Sequence, residues 1–434
     1  MSAIGTSWGR FPRTSQRVLS IQYRDQPIPQ VEGYLLPYGN GRSYGDCCLN
    51  DGGTLLHTRK LDRFIAFDTD RGTLCCESGV LLSEILALCV PHGWFLPVSP
   101  GTQYVTLGGA IANDVHGKNH HKAGAFGCHV TRFELLRSDG RRLLCTPQQN
   151  TGWFAASIGG LGLTGLITWA EIQLKHIENP WLETETHRFS NLDEFFVLSE
   201  TSDHDYEYTV AWVDCAAKGK SLGRGLFMRG NHAPAGTAPQ KRFRRRQWAV
   251  PVSPPISLIT PLTLKAFNWL YYHRQRQPVE HALTNYIPYF YPLDSISNWN
   301  KIYGPCGFLQ YQCVVPPAMA PAAIAELMGR VAASCKGSFL AVLKQFGDRP
   351  SPGLMSFPRA GTTLALDFPN TGDSTLRLLN QLDEVVANAG GAVYPAKDAR
   401  MAGEHFRQYF PNWSKFKEFI DTRFSSSFWR RVME

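Results

Sequence analysis

Up to about residue 175, short apolar runs alternate with Gly- and Pro-containing turns. The runs Gly53–Thr58, Thr73–Gly79, Arg132–Gly140 and Gly165–Leu174 are each bounded by turn residues and predict strands. Between them, Leu81–Gly93 carries its apolar residues at helical spacing and predicts a buried amphipathic helix closing at Gly93. Short strands and helices joined by Gly-rich connections imply an α+β nucleotide-binding domain. From Glu178 the texture changes. Tyr206–Asp214, Gly307–Pro316, Ser338–Gly347 and Thr362–Pro369 read as strands, and Pro321–Cys335 and Asp373–Gly391 as helices. Strands followed by a helix, twice over, predict a sheet with helices on one face. Residues 220–292, rich in Pro, Arg and aromatics, lack firm periodicity and are expected to be a long mobile insertion. The tail from Tyr394 is expected to hold an amphipathic helix. No internal repeat is present.

Composition narrows the class without naming it. With 434 residues, 43% hydrophobic and 18% charged, the chain has enough apolar content for two folded domains. Eleven cysteines include two adjacent pairs and no CxxC spacing, which fits reduced cytosolic thiols better than a disulfide framework. No stretch at the N-terminus has signal-peptide character. The apolar region from Trp248 to Tyr272 is cut by Pro251, Pro254, Pro255 and Pro261, so no transmembrane helix is expected. The net charge of +8 suits an anionic ligand or membrane surface. Lys241, Arg242, Arg244, Arg245 and Arg246 precede Trp248, with Phe267, Trp269, Tyr271 and Tyr272 nearby. Such a run is ordinarily a solvated face. Nucleic acid is not expected as a partner, because no known module frames the patch.

The candidate chemistry lies in three glycine-rich stretches. The first places Gly39, Gly41 and Gly45 among Asn40, Arg42, Ser43, Tyr44 and Asp46. Glycines this close permit tight turns and gather backbone N–H groups into a concavity for phosphate oxygens. The spacing is not the Rossmann fingerprint, and alone a structural turn explains it equally well. The second contains Gly101, Thr102, Thr106, Leu107, Gly108, Gly109, Asn113 and His116. The third spans Gly159–Gly165. Three such loops imply an elongated ligand, of dinucleotide length, approached by backbone at several points. His116 is followed by Lys118, His120 and His121; no carboxylate or cysteine spacing completes a metal set, so no metal is expected. Gln310 and Gln312 share one face of a predicted strand, either as ligands for hydroxyls or as a solvated edge.

These loops resemble those of vanillyl-alcohol-oxidase type FAD-binding oxidoreductases. The string from Gly108 to Val130 is most similar to the decaprenylphosphoryl-β-D-ribose 2-oxidase family, as are Tyr38–Asp46, Phe308–Pro316, Val342–Gly347 and Tyr394–Arg400. The resemblance covers nearly the whole chain. It implies a two-domain α+β fold: an FAD domain from residues 1–176, completed by a C-terminal return at 392–434, and an inserted antiparallel-sheet cap at 177–391. It implies FAD contacts from the first two loops, with Ile167 and Tyr394. His116 is expected beside the flavin and Lys397 in the substrate pocket, either being suited to accept the hydroxyl proton or to stabilise an alkoxide. Lys118, Trp212, Gln310, Gln312 and Lys344 are implied to bind substrate.

The implied reaction is oxidation of the C2 hydroxyl of a polyprenyl-phosphoryl-β-D-ribose. An NAD(P)H-dependent keto-reductase follows as pathway partner, completing epimerisation to the arabinose donor. A substrate of that kind implies a cytoplasmic protein, peripheral on the inner face of the plasma membrane, with the basic run as a juxtamembrane contact and Phe267, Trp269, Tyr271 and Tyr272 at the interface. Two departures from relatives matter. Arg42 stands where many relatives attach flavin covalently to histidine, and arginine cannot form that bond, so FAD is expected to be non-covalent. Ala365 stands where mycobacterial members carry a cysteine captured by nitroaromatic inhibitors. Two other readings remain: a soluble aldonolactone or alditol oxidase of this fold, and a flavin-free carbohydrate- or lipid-binding protein.

Overall fold

The computed structural model describes residues 4–238, 243 and 246–434. Strands Arg17–Ser20, Thr54–His57 and Leu35–Tyr38 make a small parallel sheet. A five-stranded antiparallel sheet follows, in the order Phe64–Asp68, Thr73–Glu77, Leu166–Gln173, Val130–Leu136, Arg142–Cys145. The helix Leu82–Cys89 buries Leu82, Ile85, Leu86 and Cys89, a spacing of i, i+3, i+4, i+7 that gives one apolar stripe for this core. A short 3₁₀ turn ends at Gly93, whose φ of 77° needs a residue without Cβ.

The second domain is one antiparallel sheet of eight strands. Their order is Val279–Asn285, Trp181–Phe189, Gly225–His232, Tyr208–Val213, Ala341–Phe346, Gly361–Pro369, Phe308–Val315, Ala392–Val393. Its two faces follow the period of two along each strand. Ala211, Val213, Leu309, Tyr311, Leu343, Leu364 and Leu366 point to one side and pack under the helices Ala320–Ser334 and Asp373–Asn388. The alternate residues point the other way, toward the glycine loops. The molecule is thus a two-domain α+β structure.

Much of the stretch expected to be a mobile insertion is regular. Gly225–His232 is an interior strand, Val279–Asn285 an edge strand, and Pro261–His273 a helix. The strand was hidden by its glycines and by Arg229, which is neutralised by Glu185 at 2.7 Å. The helix lacks a clean stripe but starts on sound chemistry: Thr260 accepts from Thr263 N, and Pro261 occupies the first turn. Lys241, Arg242, Arg244 and Arg245 of the basic run lie outside the described residues. The tail forms three short helices, Gly403–Tyr409, Trp413–Lys417 and Ser427–Met433, where one was expected. Among the described residues no helix is long and apolar enough to cross a membrane.

Candidate active site

The three glycine loops are pinned to one another by hydrogen bonds to backbone carbonyls. Asn40 Nδ2 donates to the Tyr104 carbonyl at 2.7 Å, joining the first loop to the second. Leu161 N donates to Ala112 O at 2.8 Å, and Gly159 N to Ile111 O at 3.0 Å, joining the third to the second. Tyr44 N donates to Ala396 O at 2.9 Å, tying the first loop to the tail. Part of the glycine content serves this packing. A Cβ at Gly45 would stand 1.6 Å from the Asp398 carbonyl oxygen, and one at Gly41, whose φ is 58°, would meet the Tyr38 hydroxyl at 2.2 Å.

Between these loops and the open face of the eight-stranded sheet lies a cavity of about 620 Å³. The sheet contributes alternate residues from neighbouring strands: Val210 and Trp212, Val342 and Lys344, Thr363 and Ala365, Gln310 and Gln312. Register places Gln312 opposite Ala365, and Lys344 opposite Thr363. The short strand Ala392–Val393 pairs with Phe308–Val315, so the chain leaves the sheet edge directly into the cavity wall, delivering Tyr394 and Lys397.

His116 is the centre of this wall. Its ring is packed 4.7 Å from Phe346 and 5.8 Å from Tyr394, centroid to centroid. The Gln312 amide lies 2.8 Å from Nε2, and Lys344 Nζ lies 3.2 Å from Nδ1. Burial first, then Lys344, hold the imidazole well below its ordinary pKa, so it is neutral with one N–H. It is the Gln312 amide nitrogen that faces the ring, and it also donates to Thr363 Oγ1 at 3.1 Å, which fixes the amide in place. Lys397 Nζ lies 3.7 Å from the Tyr44 ring centroid. Burial lowers its pKa to about 7, with the nearby Asp367 carboxylate opposing the shift. Asp367 is fully buried, accepts from Gln310 Nε2 at 2.5 Å and Tyr303 Oη at 3.3 Å, and is pushed up by burial to about 7.

Most residues singled out from sequence meet here. Gly39, Asn40, Gly41, Arg42, Ser43, Tyr44, Gly101, Thr102, Thr106, Gly108, Gly109, Asn113 and Ile167 line the cavity, with Lys118 and the residues already placed. Gly45, Asp46 and Leu107 do not. Gly45 packs on the tail, Asp46 is paired with Arg431 at 2.8 Å, and Leu107 is fully buried in the core. Trp212 lines the wall by its ring alone, since its indole N–H donates to Phe339 O at 2.8 Å. His120 and His121 turn away: His120 packs 4.3 Å from Phe346, and His121 Nε2 sits 2.9 Å from the Tyr206 carbonyl.

Sequence reasoning missed Asp367, Asp294 and Trp8, and it set Phe267 and Tyr271 at a membrane interface where the structure has them in the cavity wall. Asp294 and Trp8 line the cavity and Asp367 underlies it. Asp367 alone had a signal, since it shares strand parity with Thr363 and Ala365.

Residues 31–146 match the family model described as an FAD binding domain. Decaprenylphosphoryl-β-D-ribose oxidase of Mycolicibacterium smegmatis is 34% identical over 446 aligned residues, which cover 98% of this chain and 96% of that protein. The chain belongs to the decaprenylphosphoryl-β-D-ribose oxidase family. As a member it has the vanillyl-alcohol-oxidase type fold and is an FAD-dependent oxidoreductase. A Streptomyces coelicolor protein known from the mprA 5′ region is 33% identical over 78% of this chain and 94% of its own. Similarity to mouse L-gulonolactone oxidase, 28% identical, covers 37% of each chain.

The cavity suits the family's cofactor. Arg42 Nε, Ser78 Oγ and Asn113 Oδ1 belong to its lining residues and have no hydrogen-bond partner from the described protein. Orphaned buried polar atoms are costly unless a ligand satisfies them. At Gly101 a Cβ would meet nothing within 4 Å, so that loop faces open space.

Proposed function

We propose that this enzyme oxidises the C2 hydroxyl of a polyprenyl-phosphoryl-β-D-ribose to the 2-keto sugar lipid. The convergence of His116, Gln312, Lys344 and Lys397 in one wall facing the glycine loops carries this reading. The M. smegmatis relative, named for oxidation of decaprenylphosphoryl ribose, supports the substrate class by aligning end to end. The proposed division is an FAD part at 1–176 and 392–434, and a cap at 177–391.

The first two glycine loops, Ile167 and Tyr394 would hold FAD, with Gly45, Asp46 and Leu107 supporting the loops from behind. FAD, when bound, supplies the acceptor for the hydride that leaves the sugar carbon. Lys397 is the base. An amine with a pKa of about 7 is substantially neutral at physiological pH and accepts the hydroxyl proton as the C–H bond breaks. His116 titrates too low to do so. Lys344 and Gln312 occupy its two ring nitrogens, so His116 acts as a fixed ring that holds the Gln312 amide where it orients the hydroxyl and stabilises charge developing on its oxygen. Phe267 and Tyr271 wall the cavity against water.

The enzyme works at a membrane surface in this reading. The helix Pro261–His273 supplies Phe267 and Tyr271 to the cavity and shows Leu262, Trp269 and Leu270 to solvent. Leu262 is 79% exposed, Leu270 62%, and neighbouring Ile256 71%. Eleven unpaired thiols support the cytoplasmic side. The 2-keto product is the substrate of an NAD(P)H-dependent keto-reductase, which completes the epimerisation to the arabinose donor.

The test is anaerobic titration of purified protein with a short-chain polyprenyl-phosphoryl ribose. Bleaching of the yellow flavin absorbance is expected, with none from free ribose or a gulonolactone. A colourless protein, or bleaching by the free sugars alone, refutes the assignment.

A further inference from the structure

Four basic side chains line the cavity: Arg42, Lys118, Lys344 and Lys397. Two have a carboxylate to answer them. Arg42 is stabilised by Asp294, and Lys397 by Asp367. Lys118 and Lys344 have no such partner among the described residues. Lys118 Nζ donates to the Tyr289 carbonyl and lies 4.2 Å from that residue's ring centroid. Lys344 Nζ reaches His116 Nδ1 and, at 3.4 Å, the Gly117 carbonyl. The two lysines sit close enough that the charge of Lys344 acts on Lys118. Enclosed without a counter-charge, both lose proton affinity, Lys118 falling to about 7 through burial and Lys344, and Lys344 to about 8 through burial, so an anion that restores their charge is what this corner of the wall lacks.

The chemistry of the proposed substrate says where that charge must lie. In a 1-phosphoryl pentose the phosphate oxygen is attached to C1, the carbon next to the hydroxyl-bearing C2. Whatever holds the hydroxyl against His116 and Lys397 therefore brings the phosphodiester alongside, one carbon away. Lys344, bonded to the far nitrogen of His116, and Lys118, two residues along the chain from it, flank that place.

We propose that Lys118 and Lys344 form a phosphodiester subsite that anchors the C1 phosphate of the substrate, leaving Lys397, with His116 and Gln312, to handle the hydroxyl. The inference rests on the substrate reading above for its ligand, but its evidence is the charge imbalance of the wall. It makes the phosphate a specificity element, so unphosphorylated sugars and lactones are turned away by two unanswered cations.

The test uses FAD-loaded enzyme and two probes without the sugar: inorganic phosphate and farnesyl methyl phosphate, a diester. Binding is followed by perturbation of the flavin spectrum, with Lys118→Met, Lys344→Met and the two Lys→Arg variants. The diester is expected to compete with substrate. Each Met variant should weaken the diester at least tenfold and raise KM more than it lowers kcat, while FAD content stays at the wild-type level. Arg variants should recover part of the affinity. Unchanged diester affinity in both Met variants overturns the proposal. So does loss of FAD with diester affinity kept, which would assign the cations to the cofactor, or binding of inorganic phosphate without the diester. Diester binding that depends on both lysines, in an enzyme that does not oxidise the phosphoryl ribose, would leave the subsite standing and sink the reaction.

Discussion

Lys397 and His116 both have side chains suited to act as base, and the proposed function divides the roles by what is packed around each. A neutral imidazole beside a lysine cannot easily take a proton, whereas an amine brought to about 7 can. kcat/KM should therefore decline at alkaline pH, as Lys344, brought by burial to about 8, loses the charge that binds the phosphate, and should fall about tenfold per pH unit below roughly 7, as Lys397 becomes protonated and loses its capacity as base. Lys397→Met should lower kcat by on the order of 10²–10³ and abolish that limb, as read in stopped-flow flavin reduction. Arg42, stacked 4.1 Å over Trp8, provides no nucleophile for flavin attachment. Acid precipitation should leave all of the flavin in the supernatant. Ala365 faces the cavity without a thiol, so a nitroaromatic inhibitor should add no mass to the intact protein; a shift of one inhibitor equivalent would contradict this.

Strands and helices were legible where one local period governs them. Phe308–Val315 and Gly361–Pro369 follow an alternation visible in the chain, because one face meets helices and the other a cavity. The helix Pro261–His273 was not, since it rests on tertiary contacts such as Trp212 against Tyr271 and Asn268 Nδ2 on Asp214 Oδ1 at 2.7 Å. The helix Ser427–Met433 shows how the tail is fixed. Arg431 reaches Asp46 in the first glycine loop at 2.8 Å and Asp398 beside Lys397 at 2.9 Å. Arg431→Met strands the buried Asp46 carboxylate and leaves Asp398 to Arg400 and its backbone donors; it should cost about 3 kcal/mol in denaturant unfolding, with FAD affinity falling alongside. Burial would raise the pKa of Asp398, but Arg431 and Arg400 hold it below the ordinary range. Its contribution is thus present above the unfolded-state pKa of about 3.9 and is lost as pH falls through the lower folded value.

Taken as one body, the molecule combines an enclosed polar wall with an exposed apolar rim borne on the same helix. Leu262→Glu with Leu270→Glu should weaken co-sedimentation with anionic vesicles by on the order of tenfold per site, since each leucine withdrawn from an apolar phase forfeits more than 1 kcal/mol. Vesicle binding equal to wild type would remove this helix from the membrane contact.

The glycine loops and the elements with a clean local period were written in the chain, because each depends on spacing between near neighbours, whereas His116 and Lys397 were marked there only by likeness to a family. Which cations are paired and which are not was written nowhere in it. Asp367 answers Lys397 from 30 positions away, and Asp294 answers Arg42 across 252. Proton affinity and charge balance depend on distance and burial in space, and these exist only once the sheet, the loops and the returning tail have closed around the same cavity.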